Sequence, residues 1–507
     1  MSQWVAPVIA LALVGASPSP VMAAAAVPAG EVANADVEAI FRQYFHELYG
    51  RRFDQALALT AQLRPDADNP AGNAIVDGMR AAALLGLKRD SEAKKLIAEA
   101  DRLAPEDPFP ISTVFQGSLI ADRFDFAADA LDKLIARFPD VAREQDQQLV
   151  SYFLNHEVAG QEQRNEDRRV ALARIGYGGA LEGDWIAARA IDILLERGNM
   201  AGASDLLSSI DDPQTIENML IQRRYSALWP TLEERAGAHL SKVRASSLAS
   251  AEQDYSSAAD DPEKLQRYIN ALRHSGRIGD AIALRSKLPA DAAAMAKTDE
   301  QLGWAVNNVA LALHQSGQAE EADQLFARLN DAQIDSGEWR VNTIINRLEL
   351  LVADGKFDKA ASLLDVTEQS AARDGSDYAR QLVRRLKYCT LSMLGRKGEA
   401  AKLLPDVIAH APDAPQPTVD GLICAGEIDK AEQLTLQMLT SSKATLAKRQ
   451  KFEEDFVRAL QPAPLTGDEP SVWQSKLAAF RQRPAIAAAF ARLGRDMPAE
   501  LVPTTAK

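Results

Sequence analysis

Cysteine occurs only twice in this chain of 507 residues, and histidine six times. Two thiols cannot build a disulfide-dense scaffold. The histidines are His46, His156, His239, His274, His314 and His410, no two within five residues of each other. A metalloprotease helix needs two of them one turn apart, and His156-Glu157 meets Gly160 where the second would stand. The Gly-x-Ser-x-Gly elbow and the Walker phosphate loop are absent as well. No apolar run approaches the roughly 20 residues that a membrane-spanning helix requires. Basic residues are the minority, 57 Lys plus Arg against 71 Asp plus Glu, and the net charge of -14 argues against a general affinity for nucleic acid phosphates. With 47% apolar and 25% charged residues the chain has the composition of a folded protein, long enough for about three domains.

The N-terminus carries a short apolar run, Val5 to Ala16, interrupted by Ser17-Pro18-Ser19-Pro20 ahead of Val21-Met22-Ala23. That layout reads as a signal peptide over 1–23, with small side chains before the cut and a mature chain beginning near Ala24. Met1 to Trp4 bring no Lys or Arg, so the positive end is the amino group alone. No cysteine follows the run, which leaves no lipid attachment site. The expected location is the periplasm of a two-membrane bacterium, or outside the cell, with no stable membrane insertion after cleavage.

The body of the chain repeats. Alanine recurs in helix-like stretches at positions 56, 93, 127, 203, 281, 322, 360, 400 and 431, with gaps of 37, 34, 76, 78, 41, 38, 40 and 31 residues. The two long gaps are each close to twice the others, as if two repeats had decayed. Five residues before the alanine stands glycine in six of the nine cases: Gly198, Gly276, Gly317, Gly355, Gly395 and Gly426. Glycine there predicts the left-handed end of one helix. Three residues before the alanine an apolar side chain plugs the turn, as Phe53, Phe124, Met200, Ile278, Phe357 and Ile428. Four residues after it a large apolar residue shares its helical face, as Leu131, Phe326 and Leu364. Pro105, Pro139 and Pro412, twelve residues on, close the second helix. Each unit is thus helix, tight turn, helix, with the alanine where two helices approach most closely.

The sets Ala310, Gly317, Ala322, Phe326 and Gly395, Ala400, Leu404, Pro412 resemble the tetratricopeptide repeat, whose small, Gly, Ala, large apolar and Pro positions they match in spacing. The units here run longer than that family's, and its Trp and Tyr near the start of the first helix are mostly missing. The resemblance implies an all-α fold, a right-handed superhelical solenoid of helix-turn-helix repeats over 36–440, irregular at 141–184 and 223–260. A linker at 461–470 and capping helices at 471–507 follow. It also implies an inner wall built by side chains 18, 15, 14, 11 and 8 residues before the repeat alanine. Counting back from Ala281 gives Gln266, Arg267, Asn270 and Arg273; from Ala322, Trp304, Asn307, Asn308 and His314. Ala360 supplies Asn342, Asn346 and Glu349, and Ala400 supplies Arg385 and Ser392. Amides offer a donor and an acceptor together, which suits the backbone of an extended peptide, and Asn307 with Asn308 are expected to be exposed groove residues.

The remaining features point to packing rather than chemistry. Gly176-Tyr177-Gly178 begins like a dinucleotide fingerprint, but Leu181 takes the third glycine position and no strand precedes it. Gln161 to Arg169 is polar and charged and reads as a surface loop. Tyr225 and Trp229, at i and i+4, read as a packed aromatic pair. Cys389 and Cys424 read as buried thiols, with a disulfide open to an exported protein. Lytic transglycosylases of the periplasm also use long helical superhelices, yet their catalytic domain has no counterpart here. The expected function is therefore non-enzymatic, without metal or cofactor. The protein would be a scaffold for an extended segment of a partner protein in cell-envelope assembly or maintenance. The rival is an enzyme or enzyme subunit acting on envelope polysaccharide or peptidoglycan.

Overall fold

The computed structural model describes residues 34–63, 68–156, 160–177, 184–331, 338–441, 446–462 and 472–502. The expected leader at 1–23 and most of the expected linker lie outside them. The fold is all-α: the described residues form 28 α-helices and no strand, with one isolated bridge between Gln222 and Gly494. No helix among them is long and apolar enough to cross a membrane.

The repeat alanines show why the helices pair. All nine are buried, from Ala56 to Ala431, with at most 4% of their surface exposed. Each lies near the start of a second helix, whose first residue is the predicted apolar plug in Phe53–Thr60, Phe124–Arg137, Met200–Leu206, Ile278–Ala283, Phe357–Asp374 and Ile428–Thr440. The six glycines five residues upstream all have positive φ, between 72° and 83°. In the three repeats without glycine, the residue at the same offset is left-handed all the same: Arg51 at 57°, Lys88 at 59° and Asp122 at 56°. In every repeat the next residue's N–H reaches back five residues to a helix carbonyl, as Gln318 to Leu313 at 2.9 Å and Arg89 to Leu84 at 2.9 Å. That six-to-one bond is the Schellman closure, and it demands a left-handed residue whatever its side chain. The turn is therefore fixed by its backbone geometry, and glycine only makes it cheap.

The chain divides into two compact units, Met1–Ile210 and Asp211–Lys507. In the first, helix Pro70–Gly86 packs on its own partner Asp90–Leu103 and on the next first helix, Phe109–Ile120. Every residue of Phe109–Ile120 is buried, which makes it the centre of that unit. The stretch expected to lapse at 141–184 still folds into helices Gln147–Asn155 and Glu162–Arg174. Gln161 to Arg169 is thus helix rather than loop, because Arg168 lies buried beneath it and forks onto Asp132 at 2.7 and 2.8 Å. A bidentate pair lets a charged residue occupy a core-facing position that hydrophobic pattern alone reads as solvent.

In the second unit the first helices of five hairpins stack in series: Pro262–His274, Glu300–Gln315, Glu338–Ala353, Asp377–Met393 and Pro415–Ala425. Leu446–Ala459, Val472–Arg481 and Pro484–Leu493 follow. These last helices do more than cap the preceding hairpin. Ile221, from helix Pro213–Ile221, belongs to the same apolar cluster as Phe456, Val457 and Phe490. The backbone N–H of Arg495 donates to Ile221 O at 2.8 Å, its Nε to Leu220 O at 2.7 Å, and its guanidinium pairs with Glu233 at 2.7 Å. The guanidinium also lies 3.5 Å from the centre of the Trp229 ring, while Tyr225 is buried. The two ends of this unit meet.

A cavity walled by first helices in the second unit

Three successive first helices, Glu338–Ala353, Asp377–Met393 and Pro415–Ala425, form one wall of a cavity of about 1530 Å³, with Leu446–Ala459 and Val472–Arg481 contributing the rest. Because these helices carry their repeat alanines in register, side chains at fixed offsets fall on one surface. Counting 18, 15, 14, 11 and 8 residues back from Ala360 reaches Asn342, Ile345, Asn346, Glu349 and Val352, and all five line the cavity. The same count from Ala400 reaches Leu382, Arg385 and Cys389 in the lining. From Ala431 it reaches Asp413, Gln416, Pro417 and Asp420, all in the lining and all within reach of the sequence arithmetic had it been carried one repeat further.

Of the thirteen expected groove residues, five therefore converge here: Trp304, Asn342, Asn346, Glu349 and Arg385. The others do not. Gln266, Arg267, Asn270 and Arg273 lie on the earlier helix Pro262–His274, where Arg273 donates to Asn270 at 3.0 Å and Arg267 pairs with Glu263 at 2.6 Å. His314 sits behind the wall and pairs through Nε2 with Asp354 at 2.8 Å. The Ser392 hydroxyl donates to its own helix, to Tyr388 O at 2.7 Å. Asn307 and Asn308 correct the expectation outright: they are 2% and 6% exposed, and Asn307 Oδ1 accepts from Asn346 Nδ2 at 2.9 Å. They are buried where Glu300–Gln315 packs on Glu338–Ala353, so replacing both by alanine would test the core and not a groove.

The cysteines also differ from the expected thiols. Cys389 and Cys424 are joined in a disulfide, with Cα atoms 5.6 Å apart, and both line the cavity. They sit at matching positions of adjacent first helices, and Gly421 lets those helices close to the point where a Cβ there would lie 3.0 Å from Arg385 Cβ. A bond closing a loop of 35 residues stabilises by roughly 3–4 kcal/mol in the chain-entropy account.

The electrostatics of the wall are paired with two exceptions. Glu349 is bonded to Arg385, Asp413 pairs with His410 at 3.0 Å, and Asp455 holds both Lys451 at 2.7 Å and Arg458 at 2.6 Å. Asp420 has no cation within ion-pair distance and only accepts a hydrogen bond from Gln416 Nε2 at 2.9 Å. Burial pushes its carboxyl up to about 6, against the pull of Arg385 and of the Gln416 hydrogen bond. Lys476 has no carboxylate; its ammonium donates to Cys424 O at 2.5 Å and approaches Met393 Sδ at 3.5 Å. Burial lowers its pKa. Aromatic rings complete the surface, including Trp304, Phe357, Trp473 and Tyr378, the last of them half exposed. Among the described residues, no cluster of His, Cys, Asp and Glu has the geometry to hold a metal ion.

No protein-family model matches this chain, and no curated protein does. Among solved structures it is similar to Ton1535 from Thermococcus onnurineus NA1, at 13% identity and a TM-score of 0.22, over 76% of this chain and 86% of that one.

Proposed function

We propose that the protein is a non-enzymatic, tetratricopeptide-like scaffold that binds an extended segment of a partner protein in the cavity of its second unit. The observation that carries this reading is the convergence of three repeats' inner-wall positions, counted from Ala360, Ala400 and Ala431, on one surface. A wall that repeats every hairpin suits a ligand that itself repeats along its backbone. The cavity is larger than the roughly 300–1,000 Å³ usual for a small molecule, and its amides, aromatic rings and three prolines are the side chains of peptide grooves. A right-handed superhelical path of the hairpins belongs to the same proposal. So does the periplasm as its place of work, in cell-envelope assembly or maintenance: the leader-like N-terminus and the Cys389–Cys424 bond both fit an oxidising compartment.

One observation favours the rival reading, an enzyme acting on envelope polysaccharide. A carboxyl raised to about 6, as in Asp420, is suited to general acid work. A glycosidase needs a second, free carboxylate, and the neighbouring Asp455 is engaged by two cations. The test is a photo-crosslinking residue at Tyr378, in the cavity, against one at Val366, equally exposed at 52% but outside it. Crosslinks to one contiguous protein segment at Tyr378 and none at Val366 are expected. Glycan adducts at Tyr378, or equal protein adducts at both sites, would overturn the proposal.

A further inference from the structure

We infer that Asp420 and Lys476 form a recognition pair that takes one basic and one acidic side chain, two residues apart, of the segment bound in the cavity. The inference rests on the peptide-binding reading above and says what that peptide must carry.

The argument begins with pairing. Around the cavity, carboxylates are matched within their own wall: Glu349 with Arg385, Asp354 with His314, Asp413 with His410, Asp455 with Lys451 and Arg458. Asp420 and Lys476 stand apart from this pattern. The nearest cations to Asp420 are already turned elsewhere, Arg385 to Glu349 and Arg458 to Asp455. A carboxylate has about four acceptor sites, and Asp420 uses one, on Gln416. Lys476 bonds to the carbonyl of Cys424, one residue from the C-terminal end of helix Pro415–Ala425, where a cation is favoured by the helix dipole. That contact explains its position. It leaves the ammonium with no anion, and of its three donors one is on the carbonyl and one on the weakly accepting Met393 sulfur.

Charges left partly buried without partners are costly, and an occupant that brings both missing signs removes both costs at once. Burial disfavours the charged form of each group, raising the one and lowering the other. Each group gains from an opposite charge.

Geometry sets the spacing. Asp420 and Cys424 are four residues apart on one helix, about 6 Å along its axis. Lys476 reaches the Cys424 end. In an extended peptide, side chains at i and i+2 leave the same face about 6.6–7 Å apart. A basic and an acidic residue separated by one other residue therefore span the two sites, while adjacent residues point to opposite faces. A single amino acid also carries both charges, but too close together and with far too little volume for a cavity of about 1530 Å³.

The experiment selects random dodecapeptides displayed on phage against the full chain, and measures the winners as N-acetylated, C-amidated fluorescent peptides. Enriched peptides should carry Lys or Arg and Asp or Glu at i and i+2 and bind at least about tenfold tighter than versions with both residues changed to Gln. Asp420→Asn should erase the preference for the basic residue alone, and Lys476→Met the preference for the acidic one alone. Both variants should bind the Gln versions as the parent does, which shows that they are folded. A helix cap without a recognition role would shift melting and leave peptide preference unchanged. If peptides are enriched without the charge pair, or the variants keep the parent's preferences, the recognition pair is wrong and the scaffold reading stands. If no peptide is enriched over an unrelated helical protein, the scaffold reading falls and takes the pair with it.

Discussion

At the scale of the residue, the repeat turn separates a requirement from its usual solution. Nine turns need a left-handed residue; six use glycine, and Arg51, Lys88 and Asp122 take the strain with a side chain present. An L-residue in that region costs roughly 1–2 kcal/mol. Lys88→Gly is therefore expected to raise the urea midpoint, by about 0.5–1 kcal/mol after the entropy that glycine adds to the unfolded chain. Gly317→Ala should lower it by about 1 kcal/mol, and since a Cβ there would meet nothing within 4 Å, the loss reports backbone strain alone. A second residue-scale effect is His274. Burial and the like charges of Arg273 and Arg244 lower its pKa from the ordinary 6.5 to about 4, with Asp212 opposing. The unfolded chain binds the proton more readily, so the native state loses stability as pH falls from about 6.5 through about 4. His274→Gln should flatten that acid-side loss, about 1–3 kcal/mol, in urea midpoints measured across the window.

At the scale of the element, the hairpin is decided by the contact at its alanine. Ala360 is fully buried and Ala322 nearly so, each at the point where two helices come closest. Ala360→Leu or Ala322→Leu would force those helices apart, and each is expected to lower the urea midpoint by roughly 1–3 kcal/mol through overpacking. An unchanged midpoint in both would contradict the packing. The first helices obey a further rule, since their opposite faces serve different neighbours. Asn346 faces the cavity and yet donates to buried Asn307 of the preceding first helix. A polar side chain between stacked helices thus need not face solvent, and this is where reading amides as groove residues fails.

At the scale of the second unit, closure is a tertiary event. Arg495 gathers Ile221, Leu220, Glu233 and Trp229 from residues more than 260 positions away. His239 N–H reaches Glu500 O at 2.8 Å, and His239 and Leu240 are held with φ of 55° and 58°. Such strain persists only where surrounding contacts outweigh it. Arg495→Ala should therefore lower the melting temperature, by about 1–3 kcal/mol of stability, and hasten proteolysis between Trp229 and Leu240. Equal protease resistance in parent and variant would mean that the ends are held without it.

The sequence alone determined what is local and periodic. Glycine at one offset announced the helix ends, alanine at another announced the close approach, and both are short-range demands of backbone and side-chain volume. The same period placed Asn342, Asn346, Glu349 and Arg385 on one wall, because residues at equal offsets in equal hairpins face the same way. Only the tertiary structure decided the rest. Trp304 lines the cavity while Asn307, three residues on, is buried, since one turn of helix separates a wall from a core. Cys389 and Cys424 meet because two helices lie side by side, and Lys476 meets Cys424 across 52 residues of intervening chain. Arg495 closes the unit over a still longer span. None of these has a period, and a contact without a period leaves no trace in a single sequence.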